Sequence, residues 1–157
     1  MATLADRLNT YEGQPEQKWN KRKSISVEEK GQKYHLSFQR ECESAVYAID
    51  GGIITDETTR KCDKLILIEL DSQKWIEFFI ELKGRDIKHA IEQVEATLRN
   101  KLFHDSNVNQ REARIIGRNI PRNTGSSITE ISKKKFLSKY YCRLEFKTGP
   151  AKEKIII

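Results

Sequence analysis

The sequence predicts an α/β fold in which a mixed β-sheet is flanked by α-helices. Two apolar runs, at residues 65–70 and 75–82, are separated by a short polar turn and indicate a β-hairpin. Residues 86–102 follow, with apolar side chains at spacings of three and four that are typical of an amphipathic helix. The next apolar run, at 113–116, is expected to return parallel to the same sheet, because a helix can cross over between two parallel strands.

Shorter patterns indicate further elements before and after this unit. Alternating residues at 24–27 and 34–38 flank a turn around Gly31 and predict a second hairpin. An apolar run at 45–49 is closed by an aspartate and two glycines, which is typical of a turn. We expect a helix at residues 128–141 and extended segments at 143–146 and 155–157.

Size and composition indicate one domain. The chain has 157 residues, of which 37% are hydrophobic and 33% are charged, as in a polar globular protein. Residues 1–22 show little periodicity and are expected to form an arm, or a short helix at 4–8, ahead of a single domain at 23–157. No segment has the roughly 18 apolar residues of a membrane span, and residues 1–11 lack the pattern of a signal peptide. Three widely spaced cysteines fit neither a zinc site nor a disulfide framework, which predicts a reducing, cytoplasmic location.

Basic residues are concentrated in the carboxyl-terminal region. Residues 111–157 contain 12 Lys and Arg against 4 Asp and Glu, a net charge of +8, whereas the whole chain carries +6. Such a region suits a polyanion such as nucleic acid, although a solvated, solubilising surface would carry the same charge. The lysines of residues 133–139 are interleaved with Phe136, Tyr140 and Tyr141, which suits backbone binding with base stacking. The alternative is a basic amphipathic helix whose Phe136 and Tyr140 face the core.

One end of the predicted central hairpin gathers charged side chains. Antiparallel partners have a constant index sum, so a turn at residues 72–73 places Asp63 level with Glu81 and Leu82. Lys83 lies two residues beyond Glu81 and therefore points to the same face of the strand. Two carboxylates and an ammonium at one point can hold a divalent metal and activate water for phosphodiester hydrolysis. Taken singly, Asp63 also suits a turn cap, and Glu81 and Lys83 suit a surface salt bridge.

These residues resemble the motifs of the PD-(D/E)xK nuclease superfamily. Asp63 matches the aspartate of its first motif, although Cys62 stands where the superfamily has proline, and residues 81–83 match its E-x-K motif. The likeness covers residues 45–120 and implies a restriction-endonuclease-like core, with a mixed β-sheet flanked by α-helices. It also implies Mg²⁺ as the cofactor, with Mn²⁺ as a substitute.

The resemblance implies a role for each residue of the cluster. Asp63, Glu81 and the backbone carbonyl of Leu82 would bind the metal, and Lys83 would position and help to activate the attacking water. Gln93, on the following helix, resembles a glutamine that some branches of the superfamily carry, and it would assist locally. A glutamine that simply faces solvent is the alternative.

The predicted function is metal-dependent hydrolysis of phosphodiester bonds in nucleic acid, with DNA as the favoured substrate. Glu43 and Asp50 are the upstream candidates for a further carboxylate. The small size of the chain makes a homodimer or a partner protein the expected route to sequence specificity. The alternatives are a non-catalytic nucleic-acid- or protein-binding module on the same fold, and a structural adaptor in which the motif is accidental. Contacts to nucleic acid are expected from a set of basic residues, namely Arg85, Arg118, Arg122, Lys133, Lys134, Lys135 and Lys139.

Overall fold

The computed structural model describes residues 15–71, 74–82, 86–105, 108–118, 120 and 127–157. Within these ranges the chain is a mixed α/β fold with a seven-stranded sheet and two α-helices. The strands are β1 (Gln17–Glu29), β2 (Gln32–Ala48), β3 (Lys64–Asp71), β4 (Lys74–Leu82), β5 (Val108–Gly117), β6 (Cys142–Thr148) and β7 (Ala151–Ile155). The helices are α1 (Ile87–Arg99) and α2 (Ile128–Tyr140), and a 3₁₀ turn at Lys101–Phe103 follows α1. Neither of these two helices has the length and apolar character that a membrane crossing requires.

The sheet combines an antiparallel half with a parallel half. Its strand order is β1-β2-β3-β4-β5-β6, in which β1 to β4 pair antiparallel while β5 and β6 run parallel to β4. Helix α1 forms the crossover between β4 and β5, which confirms the predicted order of hairpin, helix and parallel strand. β7 pairs in parallel with residues 34–38 of β2, whereas residues 44–48 of β2 pair with β3. Strand β2 therefore takes part in two regions of the sheet.

Strand β3 is buried on both faces because each face of the sheet is covered. Leu65 and Leu67 pack in one apolar cluster with buried side chains of α1 and α2. Ile66 and Ile68 pack in a second cluster with side chains of β1, β2 and β7. All four residues have 0% exposure, which explains why this strand is a continuous apolar run instead of an alternating one.

Helix α1 follows the predicted apolar stripe. The Asp86 carboxylate accepts a hydrogen bond of 3.0 Å from the backbone N–H of His89 and forms the N-cap, as the sequence indicates. The helix ends at Arg99, three residues before the predicted end, because Asn100 begins the 3₁₀ turn and its side chain accepts a hydrogen bond from the backbone of Leu102. The buried residues of α1 are Ala90, Ile91, Val94, Thr97 and Leu98.

The amino-terminal part of the sheet extends further than its pattern predicts. β1 begins at Gln17, so the predicted boundary at residue 22 lies inside a strand. Two register shifts interrupt the alternation of β1 and conceal its first half in the sequence. The predicted hairpin around Gly31 is confirmed. The short helix considered at residues 4–8 lies outside the described residues.

Strand β2 folds back between its two paired halves. A straight strand of its length would span about 50 Å. Lys30, which just precedes β2, nevertheless lies 3.7 Å from Asp63, and Asp63 adjoins Lys64, the partner of Ala48 at the far end of β2. The β1–β2 hairpin must therefore curve over the sheet and bring its tip to the carboxyl end of β4. The apolar runs at 34–38 and 45–49 consequently belong to one bent strand.

The carboxyl-terminal elements match the pattern in type but differ at one boundary. Helix α2 confirms the helix predicted at 128–141, and the Ser127 side chain accepts the capping hydrogen bond from the backbone N–H of Glu130. β7 spans Ala151–Ile155, whereas the sequence predicts extension at 155–157. Charged residues alternate along β7, so the strand contains no apolar run that would predict it.

A buried ion network joins β5 to β7. Arg114 is 1% exposed, and its guanidinium donates to the Glu112 carboxylate at 2.7 Å and to both carboxylate oxygens of Glu153 at 2.8 and 2.9 Å. The Tyr34 hydroxyl also donates to Glu153, at 2.7 Å. Burial raises the pKa of Glu153, but the hydrogen bonds from Arg114 outweigh this effect and hold the pKa below its ordinary value. The network therefore keeps an ionised arginine and two carboxylates within the sheet.

Candidate active site

Asp63 and Glu81 lie next to each other at one end of the central hairpin. The regular register ends at Lys64 and Ile80, and continuing it by one residue puts Asp63 level with Glu81, as the sequence predicts. The Asp63 backbone N–H donates to the Ile80 carbonyl at 3.2 Å, which extends the ladder to this point. Asp63 is 3% exposed and Glu81 is 1% exposed. The fold thus withdraws two neighbouring carboxylates from solvent, which is costly unless cations or hydrogen bonds stabilise them.

Each carboxylate oxygen of Asp63 has its own neighbour. Oδ2 accepts a hydrogen bond of 2.7 Å from the backbone N–H of Leu82, which fixes the orientation of the side chain at the end of β4. Oδ1 lies 3.7 Å from the ammonium of Lys30. The bond to the Leu82 backbone is also one that a structural cap would make, so the capping alternative stays open beside the metal-ligand prediction.

Lys30 is a residue of this site that the sequence patterns do not reveal. It occupies the turn between β1 and β2, remote in sequence from the central hairpin, and only the curvature of β2 brings it to Asp63. Partial burial would lower the pKa of Lys30, but the nearby carboxylates of Asp63 and Glu81 outweigh it, and the pKa is raised. Burial and the charge of Asp63 raise the pKa of the adjacent Glu29.

Two further lysines lie at the border of the site and are almost fully buried. The Lys64 ammonium lies 2.7 Å from the Glu16 carboxylate and 3.9 Å from that of Glu29. The Lys61 ammonium donates to the carbonyls of Asp56 and Thr59 and lies 3.9 Å from the Asp50 carboxylate. Both lysines are therefore engaged by groups other than the Asp63–Glu81 pair. Asp50, an upstream candidate for a further ligand, is exposed and forms this ion pair with Lys61.

Helix α1 is fastened to the segment that carries Asp63. The Cys62 backbone N–H donates to the Thr97 hydroxyl at 2.8 Å, and this hydroxyl donates to the Gln93 carbonyl at 2.9 Å. Cys62 is fully buried beside Glu81, and burial followed by the charge of Glu81 raises the pKa of its thiol. The thiol at this position is thus a protonated packing group and not a nucleophile.

Gln93 does not face open solvent, contrary to the default expectation for a glutamine off the apolar stripe. It is half-buried and lines a cleft of about 410 Å³ between α1 and the loop that precedes β3. Its Oε1 atom is buried and has no hydrogen-bond partner within the described part of the chain. The same cleft is lined by Asp50, Arg60, Lys61 and His89. The predicted local role of Gln93 stays a prediction.

Some predicted site residues lie outside the described residues, namely Lys83, Arg85 and Arg122. Arg118 is exposed directly after β5. Since Glu81 and Leu82 pair in parallel with Ile115 and Ile116, Arg118 lies at the same end of the sheet as the carboxylate pair.

The predicted nucleic-acid-binding lysines of α2 differ in their contacts. Lys133 lies 3.4 Å from Glu145, Lys135 lies 2.8 Å from Glu95, and the Lys139 ammonium lies over the Tyr140 ring. Lys134 is exposed. Two of the four lysines of α2 are thus paired with carboxylates of the protein itself, which reduces the charge that they offer to a partner.

Base stacking on Phe136 and Tyr140 is contradicted by their positions. Phe136 is 0% exposed and Tyr140 is 8% exposed, and their rings contact each other edge to face inside the core. The helical repeat places these residues, four apart, on the inner side of α2, as the alternative predicts. The helix is not amphipathic as that alternative expects, because Ile131 and Leu137 are 57% and 61% exposed. Tyr141 is 82% exposed and is the aromatic residue of this set that faces outward.

The donor chemistry of the carboxylate pair suits a hard divalent cation. Mg²⁺ binds oxygen ligands, often through one or two carboxylates, and retains several waters. Asp63, Glu81 and the Leu82 carbonyl supply such oxygens at one strand end. Among the residues that the structure describes, no three His, Cys, Asp and Glu side chains are arranged to hold a metal ion. Asp63 and Glu81 are thus a pair of carboxyl groups and not a complete set of side-chain ligands.

Comparison of the chain with protein-family models, with curated proteins and with solved structures finds no match in any of the three.

Proposed function

We propose that this protein is a metal-dependent nuclease with a restriction-endonuclease-like core, which hydrolyses phosphodiester bonds in nucleic acid, with DNA as the favoured substrate. The observation that carries the proposal is the juxtaposition of Asp63 and Glu81, buried side by side at the carboxyl end of β4. Two carboxyl groups buried together are stabilised in their ionised form by a cation that lies close to both. A bound divalent metal would provide one.

The arrangement of elements around the pair supports the same proposal. The carboxylates lie on an antiparallel hairpin, helix α1 packs on one face, and β5 returns in parallel beside β4. This is the order that the resemblance implies for a restriction-endonuclease-like core. The parallel end of the sheet also carries the exposed Arg118, which suits contact with a phosphate backbone.

Asp63, Glu81 and the Leu82 carbonyl would hold the proposed Mg²⁺, and Mn²⁺ would be accepted in its place. When bound, the metal supplies a water of lowered pKa and neutralises charge that develops on the phosphate. The hydrogen bond from the Leu82 N–H keeps one Asp63 oxygen fixed, so the other is presented in a defined direction. Lys83 is proposed to position the water, and Arg118 and Lys134 to contact the nucleic-acid backbone.

A non-catalytic binding module on the same fold is the second candidate, and one observation favours it. The ammonium of Lys30 already lies 3.7 Å from Asp63, and so provides a cation beside the pair from the chain itself. In this case the basic surface would hold nucleic acid, or a protein partner, without turnover. Binding of nucleic acid would weaken steeply with salt but would not need a divalent metal.

Cleavage assays with matched variants separate the two candidates. We expect Mg²⁺ or Mn²⁺ to support cleavage of supercoiled plasmid or labelled single-stranded DNA, and EDTA, Asp63→Asn, Glu81→Gln and Lys83→Ala to abolish it. Asp63→Asn keeps an oxygen that can accept the Leu82 hydrogen bond, so the local structure should survive. Glu28→Gln removes an exposed carboxylate of β1 and should leave activity unchanged. If the wild type binds DNA or RNA but cleaves neither of them, the result would support the binding module instead.

A further inference from the structure

The β1–β2 hairpin presents a lysine to the candidate active site in a defined way. Glu29 pairs with Gln32, so the turn consists of Lys30 and Gly31, which have φ values of 54° and 77°. Two positive φ values define the tight primed turn that fits the twist of a hairpin. Asn, Asp and Gly are the usual residues at the first of these positions, because a longer side chain is disfavoured there. The chain instead places a lysine in this left-handed conformation.

From this turn the Lys30 side chain reaches the Asp63 carboxylate. Its ammonium lies 3.7 Å from Asp63 Oδ1, while the other oxygen of Asp63 accepts the Leu82 N–H. Lys30 approaches the Asp63 oxygen that the β4 backbone leaves available. The side chain is 51% exposed and lies on a loop tip, so it can leave the carboxylate without disturbing the core.

Neighbouring lysines do not duplicate this contact. Lys64 is held by Glu16 and Glu29, and Lys61 is held by backbone carbonyls and Asp50. Both are at most 7% exposed, so neither can exchange readily with an ion from solvent. Lys30 is thus the described lysine that combines contact with Asp63 and freedom to move.

We propose that Lys30 is a tethered counter-ion that competes with a divalent metal for the Asp63–Glu81 pair. The inference rests on the proposed metal-dependent activity of that pair. A cation that occupies the site must be displaced by the metal, so the apparent metal affinity is lower than the carboxylates alone would give. Linkage is reciprocal, and a phosphate group that engages the displaced Lys30 therefore tightens metal binding. Metal loading is in this way coupled to the arrival of a polyanionic substrate.

Calorimetric titration with Mn²⁺ tests the competition without an activity readout. Lys30→Asn removes the charge and supplies the Asn-Gly pair that a primed turn favours, so the hairpin should fold. Lys33→Asn is the matched control, because Lys33 is an exposed lysine of the same hairpin. We expect Lys30→Asn to bind Mn²⁺ about three- to tenfold more tightly than the wild type, because the variant removes one partly exposed positive charge next to the site. Lys33→Asn should bind as the wild type does.

The outcomes separate this inference from the proposed function. Equal or weaker Mn²⁺ affinity of Lys30→Asn, with binding by the wild type lost in Asp63→Asn, overturns the competition but leaves the metal centre standing. Absence of Mn²⁺ binding by every variant overturns both. Lys30→Gln, which also lacks the charge, provides a second measurement of the same effect. Tighter binding by both neutral variants, with Lys30→Arg close to the wild type, supports the counter-ion role.

Discussion

Removal of the buried Arg114 side-chain charge should destabilise the protein strongly. The Arg114 guanidinium bridges Glu112 and Glu153, donates to the carbonyls of Ala113 and Arg143, and lies over the Phe78 ring. Arg114→Met keeps an unbranched apolar stem but leaves the two carboxylates without this cation. The Glu112 side chain is 3% exposed and that of Glu153 is 16% exposed, so water cannot replace the lost partner well.

The magnitude follows from this burial. Breaking a buried ion pair by removing one partner costs about 3–5 kcal/mol, because an uncompensated charge stays inside. A domain of this size has about 5–15 kcal/mol of stability in total, so the variant should lose at least about a fifth of it. Arg143→Met provides the control. Its guanidinium is 66% exposed and lies 3.9 Å from Glu112, and loss of such a surface pair should cost less than about 1 kcal/mol.

Urea denaturation measures both changes in the free energy of unfolding. Unfolding can be followed by the fluorescence of Trp19 and Trp75, which contact each other edge to face. We expect a large decrease in the midpoint for Arg114→Met and a small one for Arg143→Met. A decrease in the free energy of unfolding of less than about 1 kcal/mol for Arg114→Met would refute the claim that this network is shielded from water and stabilises the fold.

Two further predictions concern pH and the attachment of α1. The pKa of Glu153 is held below its ordinary value of 4.5, since the hydrogen bonds from Arg114 outweigh the opposing effect of burial. A carboxyl group with a lowered pKa stabilises the folded protein above its unfolded-state pKa, and this stabilisation is lost as the pH falls through the folded-state pKa. Glu153→Gln lacks this group. The thermal unfolding temperature of Glu153→Gln should therefore depend less on pH below about 4.5 than that of the wild type. Thr97→Val removes the acceptor of the buried Cys62 N–H and should cost about 1–3 kcal/mol in urea denaturation, whereas an unchanged midpoint would contradict the proposed fastening of α1.

The central hairpin and α1 could be predicted because their information is local. The apolar run of β3 and the stripe of α1 follow the repeats of a buried strand and an amphipathic helix, and the Asp86 cap marks where the helix begins. The constant index sum of an antiparallel pair then sufficed to bring Asp63 and Glu81 together. No knowledge of the rest of the fold was needed for that step.

The approach of Lys30 to Asp63 depends on tertiary structure and could not be predicted in the same way. It requires β2 to pair with β1 in both halves, with β7 in its first half and with β3 in its second, and to bend between the halves. The first half of β1, which is interrupted by register shifts, and the charged strand β7 have no apolar repeat that would predict them. The basic cluster of α2 could not be assessed from the sequence for a related reason. Lys133 forms an ion pair with Glu145 and Lys135 with Glu95, and these partners are distant in sequence.

The measurement that tests the central claim most directly is cleavage of supercoiled plasmid in Mg²⁺ by wild type and Glu81→Gln, side by side with EDTA and with Glu28→Gln. We expect nicked or linear product for the wild type and Glu28→Gln, and no product for Glu81→Gln or in EDTA. Cleavage by Glu81→Gln at the wild-type rate would contradict the account, because it would show that the buried carboxylate pair is not the metal centre.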